Sequence, residues 1–235
     1  MLIHTLFDLI AWASAALLGW WISRQGWLAG ASARPGFKSD PYYFASLAAG
    51  ALVGAVLSGS LNLGLAGLWT LGHSIAGAIA GGVLAVEFYK WIRGIKGSTG
   101  LPLVAPLALG IAIGRLGCFF AGLPDYTYGT PTALPWGHDF GDGIPRHPVQ
   151  LYESAAMIAF LLVFLRAIAR HSEFVLRNGF YLFVAWYAAQ RLVWEFLKPY
   201  PTVAGPFNIF HLICIGLFAY SVFMLRGRHE LRAAV

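Results

Sequence analysis

Two arginines, Arg115 and Arg191, lie inside segments of the sequence that are otherwise apolar. A charged side chain within a membrane helix is costly unless it is paired or hydrated, so such residues mark functional sites by default. Arginine stays charged at any accessible pH and binds phosphate through a planar fork of donors. Most phosphates exposed at a membrane face belong to lipid headgroups. The two residues therefore predict a site for a phosphodiester headgroup.

Arg191 has polar neighbours at helical spacing. Tyr187, Arg191 and Glu195 are each four residues apart and so share one helix face. Glu195 has two interpretations that can both hold: it neutralises Arg191 in an internal ion pair, or it orients an arginine that also binds ligand. For Arg115 the alternative to ligand binding is snorkelling to the outer headgroups. His73, taken alone, has the alternative of a hydrogen-bonded residue at a helix start.

The composition shows what kind of molecule must position these groups. Of the 235 residues, 58% are apolar and 11% carry formal charge. A soluble domain carries about 25% charged residues, so this chain cannot cover a globule with polar surface. The apolar content also excludes disorder. The sequence therefore indicates a membrane protein.

Seven segments are long and apolar enough to span a bilayer, which takes about 20 residues. They cover residues 5–23, 44–63, 72–91, 101–123, 149–169, 179–197 and 207–225. Their apolar runs are continuous, whereas barrel strands alternate apolar and polar residues. We therefore predict an all-α integral membrane protein with seven transmembrane helices. The prediction is a single transmembrane domain over residues 1–235, with an extracytoplasmic loop at about 124–148.

The positions of the basic residues predict the orientation, because cytoplasmic loops carry an excess of Lys and Arg. On one side lie Arg24, Arg34, Lys38, Lys90, Arg93, Lys96, Arg166, Arg170, Arg177, Arg226, Arg228 and Arg232. The opposite side has only Arg146 and Lys198. We therefore expect the N-terminus outside and the C-terminus in the cytoplasm. The net charge of +6 is then mostly a topology signal and does not indicate nucleic-acid binding.

This orientation puts the polar residues of the helices in the outer half of the membrane. They are His4, Asp8, His73, Arg115, Gln150, Tyr152, Glu153, Tyr187, Arg191, Glu195, Asn208 and His211. We expect no comparable set at the inner helix ends. A transporter needs polar groups through the full depth of the membrane. The pattern instead favours a site open to the extracytoplasmic side.

Three short runs carry a family resemblance. They read Gly-Arg-Leu-Gly-Cys-Phe-Phe at 114–120, Pro-Trp-Gly at 135–137 and Arg-His-Pro-Val-Gln-Leu-Tyr-Glu at 146–153. With His73 at the start of a helix and the Tyr187, Arg191, Glu195 spacing, the chain resembles the prolipoprotein diacylglyceryl transferase family. That family carries Gly-Arg-x-Gly-Asn-Phe, then Pro-Trp-Gly, then Arg-His-Pro-Ser-Gln-Leu-Tyr-Glu. The resemblance covers residues 73–195.

The resemblance implies a seven-helix enzyme of the bacterial cytoplasmic (inner) membrane with its N-terminus outside. Its activity would be transfer of diacylglycerol from phosphatidylglycerol to the lipobox cysteine thiol of a preprolipoprotein signal peptide, with release of glycerol phosphate. By the same resemblance, Arg115 and Arg191 are the two functional arginines, Tyr187 supports the site and His73 is a candidate base. No cofactor is implied, and the expected partners are the two substrates and the bilayer.

The required chemistry suits these residues. Arginines that bind the leaving phosphate more tightly as its charge develops lower the barrier. His73 or His147 could take the proton of the attacking thiol. Glu195 and Glu153 would orient the arginines. The predicted substrate-binding residues are Arg146, His147, Gln150, Tyr152, Glu153, Cys118, Gly129 and Asn208.

The departures from the family pattern leave alternatives open. Cys118 stands where the family has Asn, and Ala121, Gly122 and Leu123 replace a second Asn and a Glu. A related transferase with a glycan or lipid acceptor, or an inactive lipid-binding homologue, would explain these changes. Cys118 itself is either a small buried apolar residue or a reactive thiol. We expect no metal site, because His and Asp are scattered along the chain.

Overall fold

The computed structural model describes residues 2–28 and 40–233, which form seven long helices and two small hairpins. The helices are α1 Leu2–Gln25, α2 Pro41–Leu65, α3 Ile75–Arg93, α4 Val104–Ala121, α5 Val149–Ala169, α6 Glu173–Glu195 and α7 Ile209–Ala233. The strands are β1 His138–Asp139, β2 Pro145–Arg146, β3 Thr202–Ala204 and β4 Phe207–Asn208. Each hairpin is antiparallel, β1 with β2 and β3 with β4.

Six of these helices, α1 to α5 and α7, are long and apolar enough to cross a membrane. The chain is therefore an all-α integral membrane protein, as predicted. Large apolar side chains such as Trp12 (80% exposed) and Phe223 (72% exposed) cover the outside of the helices, as a lipid-facing surface requires. The remaining predicted span, the sixth at 179–197, overlaps α6, which is less apolar because charged residues lie near both of its ends.

The chain divides into two compact units. The first comprises Met1–Leu28, Pro102–Gly179 and Val193–Pro199, and the second comprises Ala29–Leu101, Phe180–Leu192 and Tyr200–Val235. In the first unit α4 packs against both α1 and α5. In the second unit α2 packs along α3, and α7 contacts both of them. The α6 helix contributes residues to both units, and the single transmembrane domain stays a prediction.

Small residues let the helices of the first unit approach α4 closely. A Cβ atom on Gly117 would lie 2.6 Å from Cβ of Phe7 on α1. On the side of α5, Ser154 donates a hydrogen bond of 2.8 Å to the carbonyl of the fully buried Ala112. These contacts fix the C-terminal part of α4 between α1 and α5, where two of the predicted site residues lie.

Helices α2 and α3 meet through glycine. A Cβ atom on Gly54 would lie 2.2 Å from the carbonyl oxygen of Gly77. The small-residue spacing of these segments therefore packs backbone against backbone. Asp40 adds a second link, because its carboxylate caps the N-terminus of α2 and also accepts a hydrogen bond from the Tyr89 hydroxyl of α3. That hydroxyl is the main reason why the pKa of Asp40 is below its usual value.

Candidate active site

Arg115 lies near the C-terminal end of α4, and its side chain is buried. Its Nε atom is 2.6 Å from Oε2 of Glu153 on α5. The other oxygen of that carboxylate, Oε1, is 2.9 Å from Nζ of Lys198, which follows α6. Buried ions are tolerated when they are paired, and the carboxylate shared by two cations holds the Arg115 side chain in one orientation. Lys198 is a site neighbour that the sequence indicated only as a loop charge.

Cys118 lies one turn beyond Arg115 on α4 and is also buried. Its Sγ atom is 3.9 Å from Nη1 of Arg115 and 3.7 Å from Nε2 of His4 on α1. The same His4 nitrogen is 3.3 Å from Oδ1 of Asp125. The other ring nitrogen, Nδ1, is 2.8 Å from Oδ2 of Asp8. The thiol therefore lies among charged and polar groups, which favours the reactive thiol over the inert apolar residue.

A polar chain leads from this thiol to Gln150. The Thr127 hydroxyl donates a hydrogen bond of 2.6 Å to Oδ2 of Asp125 and accepts one of 3.3 Å from Nε2 of Gln150. Gln150 is completely buried, and its carbonyl oxygen has no hydrogen-bond partner among the residues that the structure describes. A buried polar atom without a partner costs about 1–3 kcal/mol. This oxygen is therefore available to accept a hydrogen bond from a ligand hydroxyl.

Arg146 is engaged within the loop that joins α4 to α5. Its Nη1 atom is 2.6 Å from Oδ1 of Asp142 and 3.1 Å from the carbonyl oxygen of Ile144. Its guanidinium also lies over the Tyr128 ring, 5.1 Å from the centroid. The hydrogen bond from Arg146 lowers the pKa of Asp142, and the same bond raises the pKa of Arg146. In this geometry Arg146 closes the β1–β2 hairpin.

His147 and Tyr152 form a second polar pair at the start of α5. Nδ1 of His147 is 3.5 Å from the Tyr152 hydroxyl, which accepts a hydrogen bond of 2.8 Å from the Trp136 indole. Gly129 lies against this region, since a Cβ atom there would be 2.4 Å from the carbonyl oxygen of His147. Gly129 thus has a packing reason to be glycine, and His147 has a partner that can hold its ring.

The second unit holds Tyr187, Arg191 and Asn208, all of them buried. The guanidinium of Arg191 lies 5.7 Å from the centre of the Phe210 ring. The side-chain oxygen of Asn208 accepts hydrogen bonds from the backbone N–H groups of Phe210 (2.9 Å) and His211 (3.1 Å). Asn208 therefore caps the N-terminus of α7. The side-chain oxygen of Asn208 thus has hydrogen-bond partners within the protein.

His73 and Glu195 have contrasting environments. His73 is exposed in the irregular segment just before α3, and its ring makes no hydrogen bond or ion pair within the described ranges. Glu195 is buried at the end of α6. Among the predicted residues, the structure brings Arg115, Cys118 and Glu153 together in the first unit. That Arg115 and Arg191 share one phosphate stays a prediction.

A polar set also lies at the C-terminal end of α3, which the predicted topology assigns to the inner face, where no such set was expected. In the second unit, Glu87 near the end of α3 is 2.7 Å from Lys90 and accepts a hydrogen bond of 2.7 Å from Tyr220 of α7. Lys90 is buried, although the sequence placed it in a loop. Glu87 interrupts an apolar run four residues before Trp91, so the signal was present in the sequence. The long aliphatic stem of lysine lets its end group reach that carboxylate.

The family model for prolipoprotein diacylglyceryl transferase matches residues 9–226. The phosphatidylglycerol–prolipoprotein diacylglyceryl transferase of Geobacter sulfurreducens is 33% identical over 169 residues, which is 69% of this chain and 64% of the relative. The protein of the same name from Nitratidesulfovibrio vulgaris (strain Miyazaki F) is 30% identical over 243 aligned positions, covering 92% of this chain and 88% of the relative. No solved structure matches significantly.

Proposed function

The chain belongs to the prolipoprotein diacylglyceryl transferase family, and we propose that it transfers the diacylglyceryl group of phosphatidylglycerol to the lipobox cysteine of a prolipoprotein. The resemblance found in the sequence is thereby confirmed at the level of the family. The substrates come from the names of the relatives, which act on phosphatidylglycerol and prolipoprotein. Glycerol phosphate is the leaving product.

The observation that carries the proposal is the buried guanidinium of Arg115, held 2.6 Å from Glu153. The acceptor sulfur attacks the glycerol carbon next to the phosphate, and an S–C bond forms as the C–O bond breaks. The bonding electron pair stays on the phosphate oxygen, so negative charge grows where Arg115 can donate. A pre-oriented donor of this kind stabilises the transition state without reorganising during the reaction. A base accepts the proton of the thiol.

The other catalytic roles are proposed from the resemblance. Arg191 binds the same phosphate, Tyr187 supports the site, and Glu195 orients an arginine. His73 or His147 takes the thiol proton, and of these two His147 has a partner for its ring, the Tyr152 hydroxyl at 3.5 Å. Gln150, with its buried carbonyl oxygen, hydrogen-bonds a headgroup hydroxyl.

The proposed topology has seven spanning helices, with α6 as the sixth span. We place the N-terminus outside, the C-terminus in the cytoplasm, and the active site at the extracytoplasmic face of the bacterial inner membrane. The excess of basic residues on one side supports this orientation. An Asp139→Cys variant, in a background with Ser at positions 118 and 214, should react with an impermeant maleimide from outside intact cells. Labelling only after the cytoplasmic face is opened would reverse the topology.

Turnover of purified protein tests the activity. The full chain is incubated in detergent with phosphatidylglycerol and a lipobox peptide, and glycerol phosphate release is measured. We expect release only when the peptide is present. Release without the peptide would instead indicate hydrolysis or an acceptor of another class. Absence of release with every acceptor would favour an inactive lipid-binding protein.

Variants of Arg115 test its role in that assay. Arg115→Lys keeps the charge but loses the planar fork, and we expect kcat to fall by about 100-fold or more. Arg177→Lys is the matched control, because Arg177 is exposed and lies 3.4 Å from the exposed Glu173. If Arg191 binds the same phosphate, the loss in the double Arg115→Lys, Arg191→Lys variant will be smaller than the product of the single losses. Near-normal turnover of Arg115→Lys would remove Arg115 from the mechanism.

A further inference from the structure

Three electron-rich side-chain atoms converge at the end of α4. They are Nε2 of His4, Sγ of Cys118 and Oδ1 of Asp125, and the donor atoms of these three residues lie within 4.8 Å of one another. We call them the three-donor cluster. The residues are far apart in sequence, with His4 and Cys118 separated by 114 positions. The scattered positions of these residues argued against a metal site, but folding brings them together because α1 packs against α4.

The spacing of the cluster is compatible with coordination of a single ion. Nε2 of His4 is 3.3 Å from Oδ1 of Asp125 and 3.7 Å from Sγ of Cys118. Around a tetrahedral Zn²⁺ the bond lengths give N···O edges of about 3.4 Å and N···S edges of about 3.6 Å. These two observed distances lie close to those edges, and the Cys118 sulfur and a carboxylate oxygen of Asp125 lie within 4.8 Å of each other.

The groups behind the cluster match the outer shell of a metal site. Asp8 takes the Nδ1 side of the His4 ring at 2.8 Å, which leaves the Nε2 lone pair directed at the sulfur and the carboxylate. A carboxylate behind a ligating histidine is the usual arrangement in zinc sites. Thr127 holds the second oxygen of Asp125 at 2.6 Å, so that ligand is oriented as well.

The charges also balance. A neutral imidazole, a thiolate and a carboxylate carry two negative charges, which one divalent cation neutralises. Nitrogen, sulfur and oxygen ligands in one set suit Zn²⁺ among the common divalent ions. Three protein ligands leave a fourth tetrahedral position open, as in catalytic rather than structural zinc sites. His4 and Asp8 have side chains that are 35% and 47% exposed, so an ion can reach the cluster.

We propose that the three-donor cluster binds one Zn²⁺ ion, whose open position receives the acceptor thiol. The second part rests on the proposed transferase function. A thiol that coordinates Zn²⁺ is easily deprotonated; its proton would pass to the base proposed above, His73 or His147, and the ion would hold the sulfur as a thiolate. Arg115, 3.9 Å from the Cys118 sulfur, places a bound phosphate beside that nucleophile. The thiolate then attacks carbon as described, and the thioether product, a weaker ligand than thiolate, is released.

Cobalt binding by the purified full chain tests the site without any lipid. After removal of metal with a chelator, Co²⁺ is titrated into the detergent-solubilised protein, and sulfur-to-cobalt charge-transfer absorption is recorded. We expect one Co²⁺ per chain, displaced by Zn²⁺. Cys118→Ser should abolish the band, whereas Cys214→Ser, the matched change at the other buried thiol, should keep it. Asp8→Asn should weaken binding about 10–100-fold.

The folded state of each variant is checked by its melting curve, and His4→Gln, at a partly exposed position, gives a second ligand deletion that the fold should tolerate. No Co²⁺ binding by the wild-type chain, or a band that survives Cys118→Ser, would overturn the site. If His4 and Cys118 form an imidazole–thiolate pair without metal, the wild-type chain will not bind Co²⁺.

The role of the ion in thiol activation has its own readout. A lipobox peptide added to the Co²⁺ protein should intensify the charge-transfer band, and the same peptide with Ser in place of Cys should not. Equal turnover by metal-free and Zn²⁺-reloaded enzyme would overturn the activating role while the transferase function stands. Metal binding with no glycerol phosphate release from any form would leave the site standing and refute the proposed function.

Discussion

Replacing Glu153 by glutamine should destabilise the protein strongly, because its carboxylate is shared by two buried cations. Arg115 and Lys198 lie 2.6 Å and 2.9 Å from its two oxygens, and the side chains of the three residues are at most 6% exposed. Glu153→Gln keeps the shape but removes the negative charge, so two positive groups stay buried close together. Breaking a buried pair from one side costs about 3–5 kcal/mol.

The loss can be measured as a change in melting temperature of the purified protein in detergent. For a chain of this size about 1 kcal/mol corresponds to roughly 2–4 °C, so the expected fall is roughly 6–20 °C. Adding Lys198→Met to Glu153→Gln removes one of the stranded cations and should recover part of the loss. Glu173→Gln is the matched control, because Glu173 is 79% exposed in its pair with Arg177 and such pairs contribute less than about 1 kcal/mol.

The shared-carboxylate interpretation fails if Glu153→Gln has the same melting temperature as the wild type. It also fails if Lys198→Met lowers the melting temperature of the Glu153→Gln variant further, since repulsion between the two cations would then not be the cause.

Two further predictions concern the loop and the α2–α3 contact. Arg146 lowers the pKa of Asp142. The stabilisation from this pair is therefore present above the unfolded pKa of about 3.9 and is lost as pH falls through the lower pKa of the folded state. Trp136 fluorescence should report opening of the β1–β2 hairpin on acidification, and Asp142→Asn should open the hairpin at neutral pH. Gly54→Ala should lower the melting temperature by an amount equivalent to about 1–3 kcal/mol, because the new Cβ atom would meet the Gly77 carbonyl oxygen at 2.2 Å. Gly216→Ala is the control and should leave the melting temperature unchanged, because its Cβ atom would meet nothing within 4 Å. Equal melting temperatures of the two variants would contradict the close contact.

The apolar pattern located the helices well, and its errors have local causes. The fifth predicted span, 149–169, coincides with α5. The third was placed at 72–91, yet α3 begins at Ile75 because Ser74 accepts a hydrogen bond from the Gly77 N–H and caps the helix. The sixth was begun at residue 179, whereas α6 begins at Glu173, since a helix continues through polar residues that a hydropathy pattern discards.

The site was predictable only in part, because single residues do not reveal their partners. A charge in an apolar segment was enough to select Arg115, and the Arg-His-Pro run drew attention to Glu153. Their contact, and the third member Lys198, depend on how α4, α5 and the end of α6 pack. The ligand-binding role of Asn208 stays a prediction, and its position just before α7 gave no sign that its side-chain oxygen also caps that helix. The three-donor cluster was not predicted, because His4 is far from Cys118 and Asp125 in sequence and meets them only when α1 packs against α4.

The glycine contact between α2 and α3 restricts where the second unit can open. Peptide groups of Gly50 and Gly54 meet those of Gly77 and Gly81 without intervening side chains, so neither helix can slide or rotate against the other without a collision of main-chain atoms. Asp40 and Tyr89 fasten the same pair at one end. The two helices thus behave as one rigid pair. A route for a lipid tail into the second unit would therefore have to avoid the seam between them.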